Sequence, residues 1–248
     1  MMDFKNPLAE ATARLRDARR VLVLTGAGIS AESGVPTFRG AGGYWRDHRA
    51  EDLASPEGFA RDPKLVWEWY TERRRTLNGV KPNPGHHALA ALERAVPASL
   101  LATQNVDGLH QAAGSEKMVT LHGDIWTTRC LDCGDERTEP GRLHEELPPR
   151  CEGCGGALRP AVVWFGEMLP TEPLERIERF ISERDPVDVV LVVGTSGVFG
   201  HIQRWALAPR ERGAIVIEIN PEPSALSELV DIQLQGAAGE ILPRLIER

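Results

Sequence analysis

Long apolar runs are absent from this chain. None approaches the roughly 18 residues that a membrane-spanning helix needs, so no membrane partner is expected. The N-terminal Met1-Met2-Asp3-Phe4-Lys5 has neither the basic region nor the apolar stretch of a secretion signal, and a cytoplasmic protein is expected. Positive charge is in deficit: 29 Lys and Arg stand against 36 Asp and Glu, a formal net charge of −7. A nucleic-acid-binding domain needs a basic stripe, so no nucleic-acid partner is expected either. Lysine is scarce and arginine supplies most of the cations, which leaves room for a local cationic pocket. Cysteine is scarce as well, with four in the chain. In a reducing compartment so few cysteines read as metal ligands before disulfides. What is present is ordinary for a globular protein, 42% hydrophobic and 26% charged over 248 residues, enough to bury a full core.

The stretch from Val21 to Arg39 organises the rest. Val21 to Leu24 is too short for a buried helix and suits a strand covered on both faces. Gly26-Ala27-Gly28 follows at once. These glycines allow a tight turn and close approach to a ligand, with the donors of Ile29 and Ser30 opening a helix whose N-terminus favours phosphate. The next glycine is Gly34, so the usual dehydrogenase fingerprint is incomplete, and a plain strand-to-helix turn is the alternative.

Residues 8–19 read as an amphipathic helix leading into that strand. Thr37 to Tyr44, with Phe38, Arg39 and three glycines, reads as a loop over a site. Asp62-Pro63 starts a helix to Leu77, with Leu65, Val66, Trp69 and Tyr70 on its apolar side and Arg73, Arg74 and Arg75 at its end. Taken alone, those arginines read as a solvated helix end that complements the dipole. Asn83-Pro84-Gly85 caps a helix over 85–95, where His86 and His87 read as packing or capping residues. A buried strand, Ser99 to Thr103, ends in Gln104, Asn105, Val106 and Asp107. Ligands of open α/β sheets bind past such strand ends, although Asn and Asp also make ordinary turns.

Val119 to Leu121 leads to His122-Gly123-Asp124, again polar chemistry at a strand end. Then come Cys130-x-x-Cys133 and Cys151-x-x-Cys154, two knuckles that read as a four-thiolate zinc site. Four protein ligands leave no position for water, so the metal is expected to be structural. An extended segment, Ala161 to Phe165, precedes a helix over 171–183. Strands follow at Val187 to Val193, ending in Gly194-Thr195-Ser196-Gly197, at Ala214 to Ile219, ending in Asn220-Pro221, and at Ile232 to Leu234. A last helix runs to about 247. Strand ends that carry Gly, Thr, Ser and Asn along one sheet describe a nucleotide laid across its C-terminal edge.

In their order and spacing these motifs resemble the sirtuins, NAD-dependent protein lysine deacylases. The likeness runs from about Val21 to Leu245. It rests on Gly26-Ala27-Gly28-Ile29-Ser30, Thr37-Phe38-Arg39, Gln104-Asn105-Val106-Asp107, His122-Gly123, the cysteine pairs, Gly194-Thr195-Ser196 and Asn220-Pro221. The resemblance implies an α/β fold, a Rossmann-like parallel sheet with helices on both faces, over 1–124 and 160–248. A small zinc-binding module is inserted at 125–159, and the acylated lysine enters between the two. It implies NAD as co-substrate and one structural zinc. Gly26, Ala27, Gly28, Gly194, Thr195 and Ser196 would take the pyrophosphate and ribose, Asn220 and Ala238 the adenine side. Gln104 would face the nicotinamide ribose, with Asn105 and Asp107 at the nicotinamide. Thr37, Phe38 and Arg39 would belong to the loop over NAD, and Val163, Trp164, Phe165 and Gly166 to the segment beside the substrate backbone.

The implied mechanism has the acyl oxygen displace nicotinamide from the ribose. His122 then draws a proton from the ribose hydroxyls so that the 2′-hydroxyl takes the acyl group. Lysine and 2′-O-acyl-ADP-ribose leave. Within the family the chain is similar to the branch that removes negatively charged acyl groups. Tyr70 and Arg73, three apart on one helix, share a face and can reach one ligand, and Ala54 widens the acyl channel. Succinyl and malonyl removal is expected ahead of deacetylation. The rival readings are a general deacetylase, an ADP-ribosyltransferase on the same NAD site, a silent NAD sensor and a zinc-ribbon interaction module.

Overall fold

The computed structural model describes residues 6–37, 44–45 and 48–246. Phe38 and Arg39 lie outside them, and Thr37 is the last residue described before that gap. The first helix, α1 (Pro7–Asp17), begins where the Asn6 side chain accepts from the Leu8 N–H and Pro7 fills the first position, a standard cap. It feeds β1 (Arg20–Thr25), which runs into a short 3-10 helix, Ala27–Ser33. The turn after Gly26 is therefore tighter than the expected α-helix. Two short strands, β2 (Tyr44–Trp45) and β3 (His48–Arg49), pair as a hairpin. Three helices follow: α2 (Ala50–Leu53), α3 (Pro56–Arg61) and α4 (Pro63–Leu77). The Asp62 carboxylate caps α4 by accepting from Leu65 N at 2.9 Å. The Asn83 side chain opens α5 (Pro84–Ala95) in a capping box with His86.

The chain continues through β4 (Ala98–Thr103), α6 (Leu109–Ala112), β5 (Met118–Thr120), β6 (Gly123–Cys130), β7 (Glu136–Thr138) and β8 (Leu158–Val162). It closes with α7 (Thr171–Ser182), β9 (Val189–Val193), α8 (Gly200–Leu207), β10 (Ile215–Asn220), β11 (Ile232–Gln235) and α9 (Ala238–Ile246). Six strands form one all-parallel sheet in the order β11-β10-β9-β1-β4-β5. Side-chain alternation along β1 builds both layers. Val21 and Val23 face α1, α5 and α9, while Leu22 and Leu24 face Ile177 of α7 and Ile202 and Trp205 of α8. Each such buried side chain contributes roughly 1.5–3 kcal/mol, and a sheet covered on both faces explains strands that are apolar throughout. The expected helices on both faces are there. Among the described residues no helix is long and apolar enough to cross a membrane.

A second body packs beside the sheet. Strands β7-β6-β8 form an antiparallel sheet in which Gly123 pairs with Val162, so it reaches a little past 125–159 at both ends. Its core is shared with the helices before α5: Leu53, Phe59, Val66, Trp67 and Tyr70 pack with Ile125, Trp126 and Trp164. Arg74 fastens α4 to this sheet. It is 1% exposed, donates from Nε to the Ile125 carbonyl at 2.8 Å, and lies against the rings of Trp67 and Trp126. Burial lowers its pKa to about 10. The solvated-end reading of the three arginines thus holds for exposed Arg75, which pairs with Glu72, and fails for Arg74.

Candidate active site

The chain goes from β1 to β4 on one side and from β9 to β10 on the other, so the strand order reverses between β1 and β9. The glycine turns meet at that point. Gly26 N–H donates to the Val193 carbonyl at 3.1 Å and Gly28 N–H to the Gly194 carbonyl at 2.8 Å. A Cβ on Gly28 would stand 2.7 Å from Gly194 Cα, and one on Gly26 2.8 Å from Thr195 Cβ. These glycines are required for loop-on-loop packing, in addition to the tight turn and ligand approach expected of them. The Ile29 N–H is likewise spent, on the Gly26 carbonyl.

Polar side chains close around this turn. Gln104 Nε2 donates to the Thr25 carbonyl and to Thr195 Oγ1 at 3.0 Å, and Asn220 Nδ2 donates to the Thr195 carbonyl. Ser196 lies beside them, partly exposed, its carbonyl accepting from Ala225 N–H. Ala238 is buried against Gly85 of α5, so it serves packing; the adjoining Gly239 N–H is taken by the Glu32 carboxylate at 2.6 Å. Asn105 Nδ2 donates to the Gly26 carbonyl and to Ser30 Oγ, each at 3.2 Å. Ser30 in turn donates to Asp107 Oδ2 at 2.7 Å, and Asp107 Oδ1 accepts the Leu109 N–H. Burial raises the Asp107 pKa, and these two donors pull it back down.

Sequence reasoning named Ser30 for its backbone donor and missed its side chain, the centre of this cluster. Ser30 is 1% exposed and also meets His86 Nε2 at 3.4 Å. His86 Nδ1 accepts from the Asn83 N–H, so Nε2 carries the ring proton and donates. Capping is thus only half of its role. His86 packs edge-on to His110 with centroids 4.9 Å apart, and His110 Nε2 meets Thr25 Oγ1 at 3.0 Å. Burial, with a smaller repulsion from the neighbouring histidine in each case, lowers their pKa values to about 4 for His86 and about 3 for His110. The unfolded chain binds these protons near pH 6.5 and the folded chain does not. Stability should therefore fall as the pH drops from about 6.5 towards 4, and urea midpoints across that window will show it.

His122 stands at the end of β5, its Nδ1 2.8 Å from the Gln104 carbonyl. A carbonyl can only accept, so Nδ1 carries the proton and Nε2 presents its lone pair. Burial lowers the His122 pKa and the Gln104 contact partly restores it, so the ring is neutral near pH 7. Phe199, 45% exposed, faces it edge-on at 6.4 Å between ring centroids and was not singled out from sequence.

The helix α4 brings the expected acyl-side residues to the boundary of the two bodies. Tyr70 is 1% exposed, and its hydroxyl accepts from Trp164 Nε1 at 2.9 Å. Burial pushes its pKa up to about 12, against a smaller opposing pull from Arg73. Arg73 is half-buried, with its guanidinium 5.0 Å from the Trp69 ring centroid. Desolvation lowers its pKa, while Tyr70 and Asp107 act in the other direction. Buried Ala54 shares the cluster with Tyr70, and its carbonyl accepts the Phe165 N–H at 2.8 Å. Val163 N–H donates to the His122 carbonyl and Trp164 N–H to Glu167. Three donors of the expected peptide-binding segment are thus already paired. Phe165 is 51% exposed, and Gly166 adopts φ 87°.

The four cysteines converge as expected, with all Sγ atoms within 4.8 Å of one another. Cys130 and Cys154 sulfurs are 3.5 Å apart and those of Cys133 and Cys151 3.8 Å. Zn–S bonds of about 2.3 Å in a tetrahedron give S···S edges near 3.8 Å, so the set fits zinc and is too open for disulfides. Gly134 and Gly155 adopt φ 75° and 76° and donate to the Cys130 and Cys151 carbonyls, so they turn the knuckles. The sulfurs receive their N–H donors from Asp132, Cys133, Asp135 and Gly156 instead.

Residues 26–200 match the Sir2 family. The chain belongs to that family. A relative from Pyrobaculum aerophilum, "NAD-dependent protein deacylase 2", is 52% identical over 236 residues, covering 94% of this chain and 92% of its own length. The "NAD-dependent protein deacylase" of Thermococcus kodakarensis is 50% identical, covering 97% of this chain and 95% of its own. A Sir2 homologue solved as an NAD complex superposes with a TM-score of 0.89 at 41% identity, covering 96% of this chain and 92% of that one. The structure of Sir2Af2 bound to a myristoylated histone peptide gives a TM-score of 0.77 at 33% identity, covering 97% and 94%. In this sirtuin the cysteine cluster makes a direct prediction. The purified protein should carry about one zinc per chain, and stripping it should melt β6–β8 and abolish turnover, because structural zinc binding is folding free energy. Full activity in protein that metal analysis shows to be zinc-free would contradict the assignment.

Proposed function

We propose that this NAD-dependent protein deacylase of the sirtuin family prefers lysines whose acyl group ends in a carboxylate, removing succinyl and malonyl ahead of acetyl. The observation that carries the reading is the placement of Arg73. It lies about one turn after Tyr70 on α4, so the two share a face, and its guanidinium lies over the Trp69 ring at 5.0 Å from the centroid. Its planar fork matches a carboxylate through two parallel bonds, and the protonated Tyr70 hydroxyl can add a third. Acetyl offers neither charge nor acceptor there.

The NAD side is read on the polar residues already described. Gln104, Asn105, Asp107, Thr195, Ser196 and Asn220, with the turns at Gly26-Ala27-Gly28 and Gly194, would hold the co-substrate across the β1/β9 switch point. Bound NAD supplies a ribose carbon whose bond to nicotinamide breaks readily. His122 Nε2 takes the proton of the hydroxyl that receives the acyl group. The fixed tautomer of His122 favours an enzyme over a silent sensor. A competition among malonyl, succinyl, glutaryl and acetyl forms of one lysine peptide, with NAD, tests the preference. Succinyl and malonyl peptides should be consumed first; acetyl consumed first, or all at one rate, overturns it.

A further inference from the structure

Arg159, Glu167, Phe59 and Trp164 form a chain of contacts that ends on Tyr70. Arg159, in β8, lays its guanidinium over the Trp164 indole with Cζ 3.4 Å from the ring centroid. The same group grips Glu167 in a fork, Nη1 to Oε1 at 2.6 Å and Nη2 to Oε2 at 2.9 Å. Nη2 also donates to the Val162 carbonyl at 2.8 Å. Glu167 Oε2 accepts the Trp164 N–H at 2.8 Å, and Phe59 packs on the indole at 5.2 Å between centroids. The Arg159 and Glu167 side chains are 12% and 26% exposed, so the fork is largely shielded from water. An indole held at its face, its backbone and its flank can aim Nε1 in one direction only, and it aims at Tyr70 Oη.

We propose that Trp164, clamped by Arg159 and Glu167, is a positioning residue for acyl selection. Its indole N–H occupies one lone pair of Tyr70 Oη and so directs the single phenol proton away from the indole, towards the acyl carboxylate. This rests on the reading that Tyr70 and Arg73 receive a carboxylate. A phenol has one proton to give, and an indole N–H can only donate, so the contact fixes which partner gives and which receives. Without it the hydroxyl rotor is free to turn, and the pre-set donor is lost. Acetyl-lysine ends in a methyl group short of that point, so no donor direction there can favour it.

Trp164→Phe keeps a ring beneath Arg159 and beside Phe59 while removing the N–H. KM and kcat are measured separately on succinyl and acetyl forms of one peptide, for the unsubstituted protein, Trp164→Phe, Tyr70→Phe and the double variant. Trp164→Phe should raise the succinyl KM about three- to tenfold relative to the acetyl KM, with the ratio of kcat values kept. On top of Tyr70→Phe it should move the KM ratio no further, because the hydroxyl it orients is gone. Arg159→Lys keeps the charge but loses the fork, and should shift the ratio the same way; it also decides the matter if Trp164→Phe folds poorly. Parallel loss on both substrates, or an equal effect with and without the Tyr70 hydroxyl, overturns the positioning role. If Tyr70→Phe and Arg73→Met raise the KM ratio but Trp164→Phe and Arg159→Lys do not, only this inference falls. If Tyr70→Phe and Arg73→Met leave the ratio untouched, the carboxylate reading falls and this one with it.

Discussion

Arg73→Met should collapse succinyl-lysine removal by on the order of 10- to 150-fold in kcat/KM while acetyl-lysine removal stays within a few-fold. The size follows from a hydrogen bond to a charged group, worth roughly 1.5–3 kcal/mol, lost only by the substrate that carries the charge. Methionine fills a similar length and keeps apolar contact with Trp69, so the packing of α4 is preserved. Neighbouring Arg74 makes the tie to the Ile125 carbonyl, and its replacement should instead destabilise the whole protein. Tyr70→Phe should act in the same direction as Arg73→Met, more weakly. Steady-state kinetics on paired peptides decide: equal losses on both substrates would place Arg73 in the fold or the NAD site and remove the specificity claim.

His122→Ala should lower turnover by about 10²- to 10⁴-fold, the usual worth of a positioned proton acceptor, while NAD and acyl peptide still bind. The Gln104 carbonyl fixes the tautomer that leaves Nε2 free, so the loss should fall on kcat. The pH profile supplies an independent arm. Burial holds the His122 pKa below 6.5, so the base is deprotonated at neutral pH and activity is lost as the pH falls through that depressed value. The acid limb of kcat/KM should therefore lie below pH 6.5 and vanish in the alanine variant. Turnover near the unsubstituted level would move the role elsewhere.

Much of this could be read from the chain because the relevant signals are local. The Val21–Leu24 run, the Asp62-Pro63 start of α4 and the paired cysteine knuckles each lie within a few residues, and each forms the element expected. The parts that escaped are made by distant partners. Ser30 reaches His86 and Asp107 across 56 and 77 residues, and no periodicity announces such a meeting. Arg73, Arg74 and Arg75 are identical in sequence, yet successive residues turn about 100° on a helix. Only the packing of β6 decides that the middle one is buried. The strand β6 itself was hidden because its polar threonines pair with a neighbour that is exposed throughout. Trp164 read as part of a backbone-pairing segment, and its indole contact with Tyr70 needed the fold to bring residues 94 apart together.

The switch-point cluster is proposed to use NAD to take an acidic acyl group from lysine. Mass analysis of a single-turnover reaction with succinyl-lysine peptide and NAD tests it most directly. One nicotinamide, one free lysine peptide and one succinyl-ADP-ribose should form together, and His122→Ala should suppress the last two. Free succinate without NAD consumption, or ADP-ribose attached to the peptide or the protein, would contradict it.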